Sequence, residues 1–148
     1  MTAIGIIPAR IGSTRLPKKM LVKIGEKTLI QLTYENACKA KSLSKVIVAT
    51  DDKEIFNNIK NISGNVVMTS PDHPSGTDRI AEAAKNISAD IFVNIQGDEP
   101  LINTDDINKL VDIFNNNNID ISTLANEIDK KSALLQENVK VVLDNQGF

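Results

Sequence analysis

Short apolar runs rich in β-branched residues alternate along this chain with segments whose apolar residues recur at helical spacing. That alternation is the strongest constraint on its fold. The runs are Ile4-Gly5-Ile6-Ile7, Val46-Ile47-Val48-Ala49, Val66-Val67-Met68 and Ile91-Phe92-Val93-Asn94-Ile95, followed by Ile121-Ser122-Thr123-Leu124 and Val139-Lys140-Val141-Val142-Leu143. Unbroken hydrophobicity of this kind belongs to strands buried on both faces, as in parallel sheets. Between the runs, Leu29, Ile30, Leu32, Thr33, Ala37 and Ala40 follow one helical pattern, and Ile55, Ile59 and Ile62 another. Asp51 or Asp52 is suited to cap the second of these helices, and Thr104 to cap one carrying Ile107, Leu110, Val111 and Phe114. A further helix starts around Ile80–Ala84, and Gly25-Glu26-Lys27 marks a turn. Strand–helix alternation builds βαβ units, whose right-handed crossovers put helices on both faces of the sheet. The expectation is a doubly wound, mostly parallel α/β domain spanning residues 1–148. The asparagines from Asn115 to Asn118 read as a loop without chemistry. Val139–Leu143 runs into the turn signal Asp144-Asn145-Gln146-Gly147 with only Phe148 after it, so the reading here is a chain cut short at its C-terminus.

Charge and cysteine usage narrow the function classes. A net charge of -2 argues against a general nucleic-acid binder, so local positive charge marks a site rather than a coat. No apolar run approaches the roughly 18 residues that span a bilayer, and the first apolar stretch is broken by Pro8 and leads into charge, unlike a signal peptide. One cysteine, Cys38, cannot form an intrachain disulfide, which fits a reducing compartment; a cytoplasmic protein is expected, with Cys38 as a small buried hydrophobe.

Three loops that should emerge at the carboxyl edge of the sheet carry chemistry. After the first strand, Pro8-Ala9-Arg10 opens a loop of small residues bearing Arg10, Arg15 and Lys19, side chains that suit phosphate oxygens. It is neither a Walker A loop nor a G-x-G-x-x-G turn, and taken alone it is equally a solvated basic loop. After the third strand, Ser75-Gly76-Thr77 stands at a helix N-terminus, where free N–H groups favour an anion or a polar ring. After the fourth, Gln96-Gly97-Asp98-Glu99-Pro100 places Asp98 where it is either a turn former or a hard oxygen ligand for Mg²⁺. Glu99 reads as structural support, and His73, beside Pro74, as a turn or substrate-contact residue. Cations, a helix N-terminus and one carboxylate together describe phosphoryl or nucleotidyl transfer, where catalysis is mostly positioning and charge neutralisation.

Five motifs in order carry a resemblance: Ile7-Pro8-Ala9-Arg10-x-x-Ser13-Thr14-Arg15-Leu16-Pro17-x-Lys19, Val48-Ala49-Thr50-Asp51, His73-x-Ser75-Gly76-Thr77-Asp78-Arg79, Gln96-Gly97-Asp98-Glu99-Pro100 and Val139-Lys140-Val141-Val142. With these the chain resembles the N-terminal part of the 3-deoxy-manno-octulosonate cytidylyltransferases (CMP-Kdo synthetases). The resemblance implies a Rossmann-like nucleotide-diphospho-sugar transferase fold. It also implies Mg²⁺-dependent transfer of CMP from CTP to the anomeric hydroxyl of 3-deoxy-manno-octulosonate (Kdo), for lipopolysaccharide biosynthesis, by an enzyme that is a homodimer at full length. By the same resemblance Arg10, Arg15 and Lys19 hold the triphosphate. Pro8, Ala9, Ser75, Gly76, Thr77 and Arg79 frame cytosine and ribose, Asp98 coordinates Mg²⁺, and Gln96 lies near nucleotide and sugar. Lys18-Lys19-Met20 departs from the family's usual Gly-Lys-Pro. The family's second magnesium aspartate and much of its sugar pocket and dimer surface fall beyond the residues present. Relatives acting on sialic acids or of the spore-coat type share the opening motif, and a CTP-binding remnant without turnover is the alternative from another class.

Overall fold

The structure is a computed structural model and describes residues 1–12, 16–115 and 119–145. The chain divides into two compact units, 1–118 and 119–148.

The first unit is built on a parallel sheet. Strand β1 (Ala3–Ala9) pairs with β4 (Leu43–Thr50) on one side and β6 (Ile91–Asn94) on the other, and β4 pairs outward with β5 (Val66–Met68), giving the order β5-β4-β1-β6. A short antiparallel hairpin, β2 (Lys23–Ile24) and β3 (Lys27–Thr28), stands apart from it and turns at Gly25, whose φ of +65° suits a residue without Cβ. The strand order reverses beside β1: chain order runs outward through β4 and β5, then returns to β6 on the far side. Ligands of open α/β sheets bind in the crevice at the carboxyl ends of the strands where this happens.

Helices α1 (Leu29–Ala37), α2 (Lys53–Lys60), α3 (Gly76–Ala84) and α4 (Thr104–Asp112) cover the two faces. Ile7, Ala9, Val46 and Val48 pack with Ile30, Tyr34, Ile55, Ile59 and Ile107, from α1, α2 and α4. Ile4, Ile6, Ile47 and Ala49 point the other way and meet Ile80 and Ala83 of α3. Successive strand residues thus feed opposite cores, which explains why the runs are continuously apolar. Ile6 and Ile7 are both fully buried, each worth about 1.5–3 kcal/mol relative to exposure.

Local capping sets the helix starts. Thr28 and Gln31 form a reciprocal capping box on α1. Asp52, rather than Asp51, accepts the Ile55 N–H to cap α2. Ser75 caps α3, so this helix begins four residues before Ile80, where the apolar pattern alone places it. Asn103 caps α4 in place of Thr104, which becomes its first helical residue.

Two expectations are corrected. Ile121–Leu124 and Val139–Leu143 are not strands: the described part of the second unit has one short helix, α5 (Lys130–Ala133), capped by Asp129. A β-rich run becomes a strand only where another strand receives its hydrogen bonds, so propensity alone does not decide it. Cys38 is exposed, because it is the C-cap after the last residue of α1 and falls outside that helix's buried stripe of Ile30, Thr33, Tyr34 and Ala37. Asn115 closes a 3₁₀ turn (Ile113–Asn115), and the rest of the asparagine run, like Gln146 and Gly147 of the terminal turn signal, lies outside the described residues.

Candidate active site

Loops leaving β1, β5 and β6 converge on one cleft of about 430 Å³. Its floor is the end of β1. Pro8 is flanked by two glycines: a Cβ on Gly76 would come within 3.2 Å of its Cγ, and one on Gly97 within 3.3 Å of its carbonyl oxygen. Side chains at these positions would push the α3 N-terminus or the β6 loop off β1, so Gly76 lets the helix start close on the Pro8 ring and Gly97 lets backbone approach backbone.

Most of the residues read as site residues from sequence meet here. Pro8, Ala9, Arg10, Lys19, Ser75, Gly76, Arg79, Gln96 and Asp98 all line the cleft. Thr77 stands exposed in the first turn of α3 and is not among the lining residues. Arg15 lies outside the described residues. Sequence reasoning gave no role to Met20, which also lines the cleft and whose Sδ would be 3.1 Å from a Cβ on Gly97.

Electrostatically the cleft has a cationic side and a carboxylate. Lys19 Nζ donates to Asp98 Oδ2 at 2.5 Å, and this hydrogen bond is the main cause that holds the Asp98 carboxyl below its ordinary value. Asp98 is fixed from behind: the Gly97 carbonyl accepts the hydroxyl of buried Thr33 on α1 at 2.9 Å, and the Glu99 N–H closes a turn on the Gln96 carbonyl. Arg10 is exposed at the end of β1, and Gln96 reaches back to Asn94.

The loop between β5 and α3 is tied down by α3. Arg79 lines the cleft yet is 3% exposed, its guanidinium bonded to Asp51, Thr69 and the Ser70 carbonyl. His73 Nε2 pairs with Glu82, which also accepts the Ser70 N–H, and the His73 bond is the main cause that lowers the Glu82 carboxyl. Glu82 was legible in principle, since it lies three residues after Arg79 on the same helix face.

The chain matches the family model described as cytidylyltransferase over residues 4–148. It belongs to the cytidylyltransferase family. Among curated relatives, the 3-deoxy-manno-octulosonate cytidylyltransferase of Thermodesulfovibrio yellowstonii is 44% identical over all of this chain and 62% of its own length. That of Trichlorobacter lovleyi is 46% identical over all of this chain and 60% of its own. A solved structure described as CMP:2-keto-3-deoxy-manno-octonic acid synthetase complexed with CTP superposes with a TM-score of 0.76 at 42% identity, covering 78% of this chain and 48% of that one. A cytidylyltransferase from Leptospira borgpetersenii gives 0.70 at 30% identity, with 80% and 50% covered. The chain therefore spans about three-fifths of the curated relatives it matches, and its α/β fold is that of the family.

The donor set fits a magnesium ion. Among the described residues no group of three or more His, Cys, Asp or Glu gathers into an all-protein cage. Mg²⁺ needs none, because it takes one or two carboxylates and completes its shell with substrate phosphates and water. An ionised Asp98 lining a cleft that also carries Arg10 and Lys19 would supply such a ligand.

Proposed function

We propose that this chain is the nucleotide-holding part of a 3-deoxy-manno-octulosonate cytidylyltransferase, which transfers CMP from CTP to Kdo and releases pyrophosphate. The observation that carries the reading is the convergence of the β1, β5 and β6 loops on one cleft, with Arg10 and Lys19 on one side and Asp98 reaching in from another. The relatives' names supply the sugar and the nucleotide.

In this reading Arg10, Arg15 and Lys19 neutralise the triphosphate, whose charge is the main obstacle to attack by another oxygen. Pro8 and Ala9 form the floor under the nucleoside, with Ser75, Gly76 and Thr77 at its side, where the first N–H groups of α3 have no partner within the helix. The anomeric oxygen of Kdo bonds to the α-phosphorus in line, the bond to the β-phosphate oxygen breaks, and the hydroxyl proton passes to solvent. Asp98 would hold Mg²⁺, which when bound supplies charge neutralisation at the phosphates. Gln96, at the same rim, is placed for the ribose or the sugar.

Pyrophosphate release from CTP by the full-length protein, with Kdo against neuraminic acid as acceptor, tests the reading. Turnover with Kdo is expected, and a preference for neuraminic acid would overturn the choice of sugar. Absence of saturable CTP binding would overturn the nucleotide assignment itself. Turnover by the 148-residue chain with Mg²⁺ and both substrates would reject the alternative of a binding remnant.

A further inference from the structure

The Thr69–Ser75 segment brings His73, Pro74 and Ser75 to the cleft without regular structure of its own, so something else must fix its shape. Two oppositely charged side chains of α3 do so. Arg79 donates through Nη1 to Thr69 Oγ1 at 2.5 Å and to the Ser70 carbonyl at 3.3 Å. Glu82, one turn on, accepts the Ser70 N–H at 2.9 Å and pairs with His73. Both main-chain groups of Ser70 are thus taken by α3, the acceptor by a cation and the donor by an anion.

A guanidinium this buried requires a counter-charge. Asp51, at the carboxyl end of β4, provides it: Arg79 Nη2 donates to Asp51 Oδ2 at 2.9 Å, with side chains 4% and 16% exposed. Asp51 performs no other evident task. Capping of α2 falls to Asp52, Asp51 is not among the cleft's lining residues, and its Oδ1 is buried with no hydrogen-bond partner among the described residues. A carboxylate kept there despite an unsatisfied oxygen is kept for the guanidinium.

We infer that Asp51 is a positioning residue for the nucleoside end of the cleft: it orients Arg79, which fixes Thr69 and Ser70 and so sets where His73 to Ser75 stand. This deepens, and rests on, the reading of the cleft as a CTP site. Arg10 and Lys19 stand on the other loop, after β1, outside this chain of contacts, so the triphosphate end should not depend on Asp51.

Calorimetric titration of the chain with CTP and, separately, with inorganic tripolyphosphate separates the two ends. Asp51→Asn keeps the shape of the side chain but removes its charge. It is expected to weaken CTP about tenfold, the scale of a small misplacement, and to change tripolyphosphate less than about twofold. Thr69→Val removes one partner of Arg79 and leaves the ion pair, so it is expected to give the same split at about threefold; should Asp51→Asn not fold, this variant decides alone. Folded variants whose CTP affinity is unchanged, or in which CTP and tripolyphosphate weaken together, would overturn the inference. Those outcomes differ from failure of the unaltered chain to bind CTP, which removes the nucleotide reading and the inference with it. Failure of tripolyphosphate to bind the unaltered chain would overturn the two-ended cleft on which the inference stands.

Discussion

Lys19 and Asp98 lie 79 positions apart in sequence and meet in the cleft with Nζ 2.5 Å from Oδ2. The contact joins the loop after β1 to the loop after β6, and both side chains are more than a third exposed. In the proposed reading, the carboxylate that would hold a metal thus already has a cation beside it, and the cation that would meet phosphate already has an anion. Binding of a metal–triphosphate would exchange both partners at once, replacing one neutralised pair by two.

The pair has a pH signature. Folded Asp98 holds its proton less tightly than the unfolded chain does, so the contact adds stability above the ordinary carboxyl value near 3.9 and loses it as pH falls through the lowered folded value. Lys19→Met should therefore cost less than about 1 kcal/mol at neutral pH, given the exposure of the pair, and show a shallower loss of stability below about pH 4. Urea unfolding of both proteins across that range measures it. Parallel acid limbs would mean that the contact does not form in solution.

Asp98→Ala should abolish turnover in the full-length protein and leave the fold intact, because the side chain stands at the cleft mouth and outside the core. Manganese, whose electron spin resonance reports its binding, should no longer be held with CTP. CTP alone should bind as well as before or better, since Lys19 is released to the phosphates. A variant that fails to fold would show Asp98 to be structural.

Arg10→Ala and Arg15→Ala should each weaken CTP and reduce the salt dependence of its binding, because cations act on phosphates through a field that salt screens. Titrations at low and high salt are the check. An affinity and salt slope equal to those of the unaltered chain would remove that arginine from the site.

Gly76→Ala tests the floor. The added Cβ would sit 3.2 Å from the Pro8 ring, a group that cannot rotate away, so the α3 N-terminus must shift by a few tenths of an ångström. Alanine gains up to about 1 kcal/mol in helix propensity. The expected outcome is a thermal midpoint that is unchanged or raised together with weaker CTP binding. Unchanged binding would show that the α3 start does not set the nucleoside position.

Most of the site was visible before the fold was known, and the reason is specific. The loop that follows an apolar run must leave from a strand's carboxyl end, so the loops carrying Arg10, Ser75 and Asp98 could be assigned to one edge without knowing the strand order. Arg79 was different. The His73–Arg79 motif gave it a part in framing the nucleoside, while its burial goes with a counter-charge on Asp51, 28 positions earlier at the end of β4. The departure at Met20 likewise gained meaning only from its Sδ filling the space where a Gly97 side chain would start.

The sequence by itself determined the parallel α/β sheet, the helices on its two faces and the three loops at its carboxyl edge. Each of these follows from periodicity and capping within windows of about ten residues, where local sterics and burial decide the outcome. Tertiary structure alone decided that Asp51 serves Arg79 while Asp52 caps α2, that Lys19 rests on Asp98, and that Ile121–Leu124 and Val139–Leu143 form no strands. Counter-charges and ladder partners lie far away along the chain, so neither can be read from the segment that needs them.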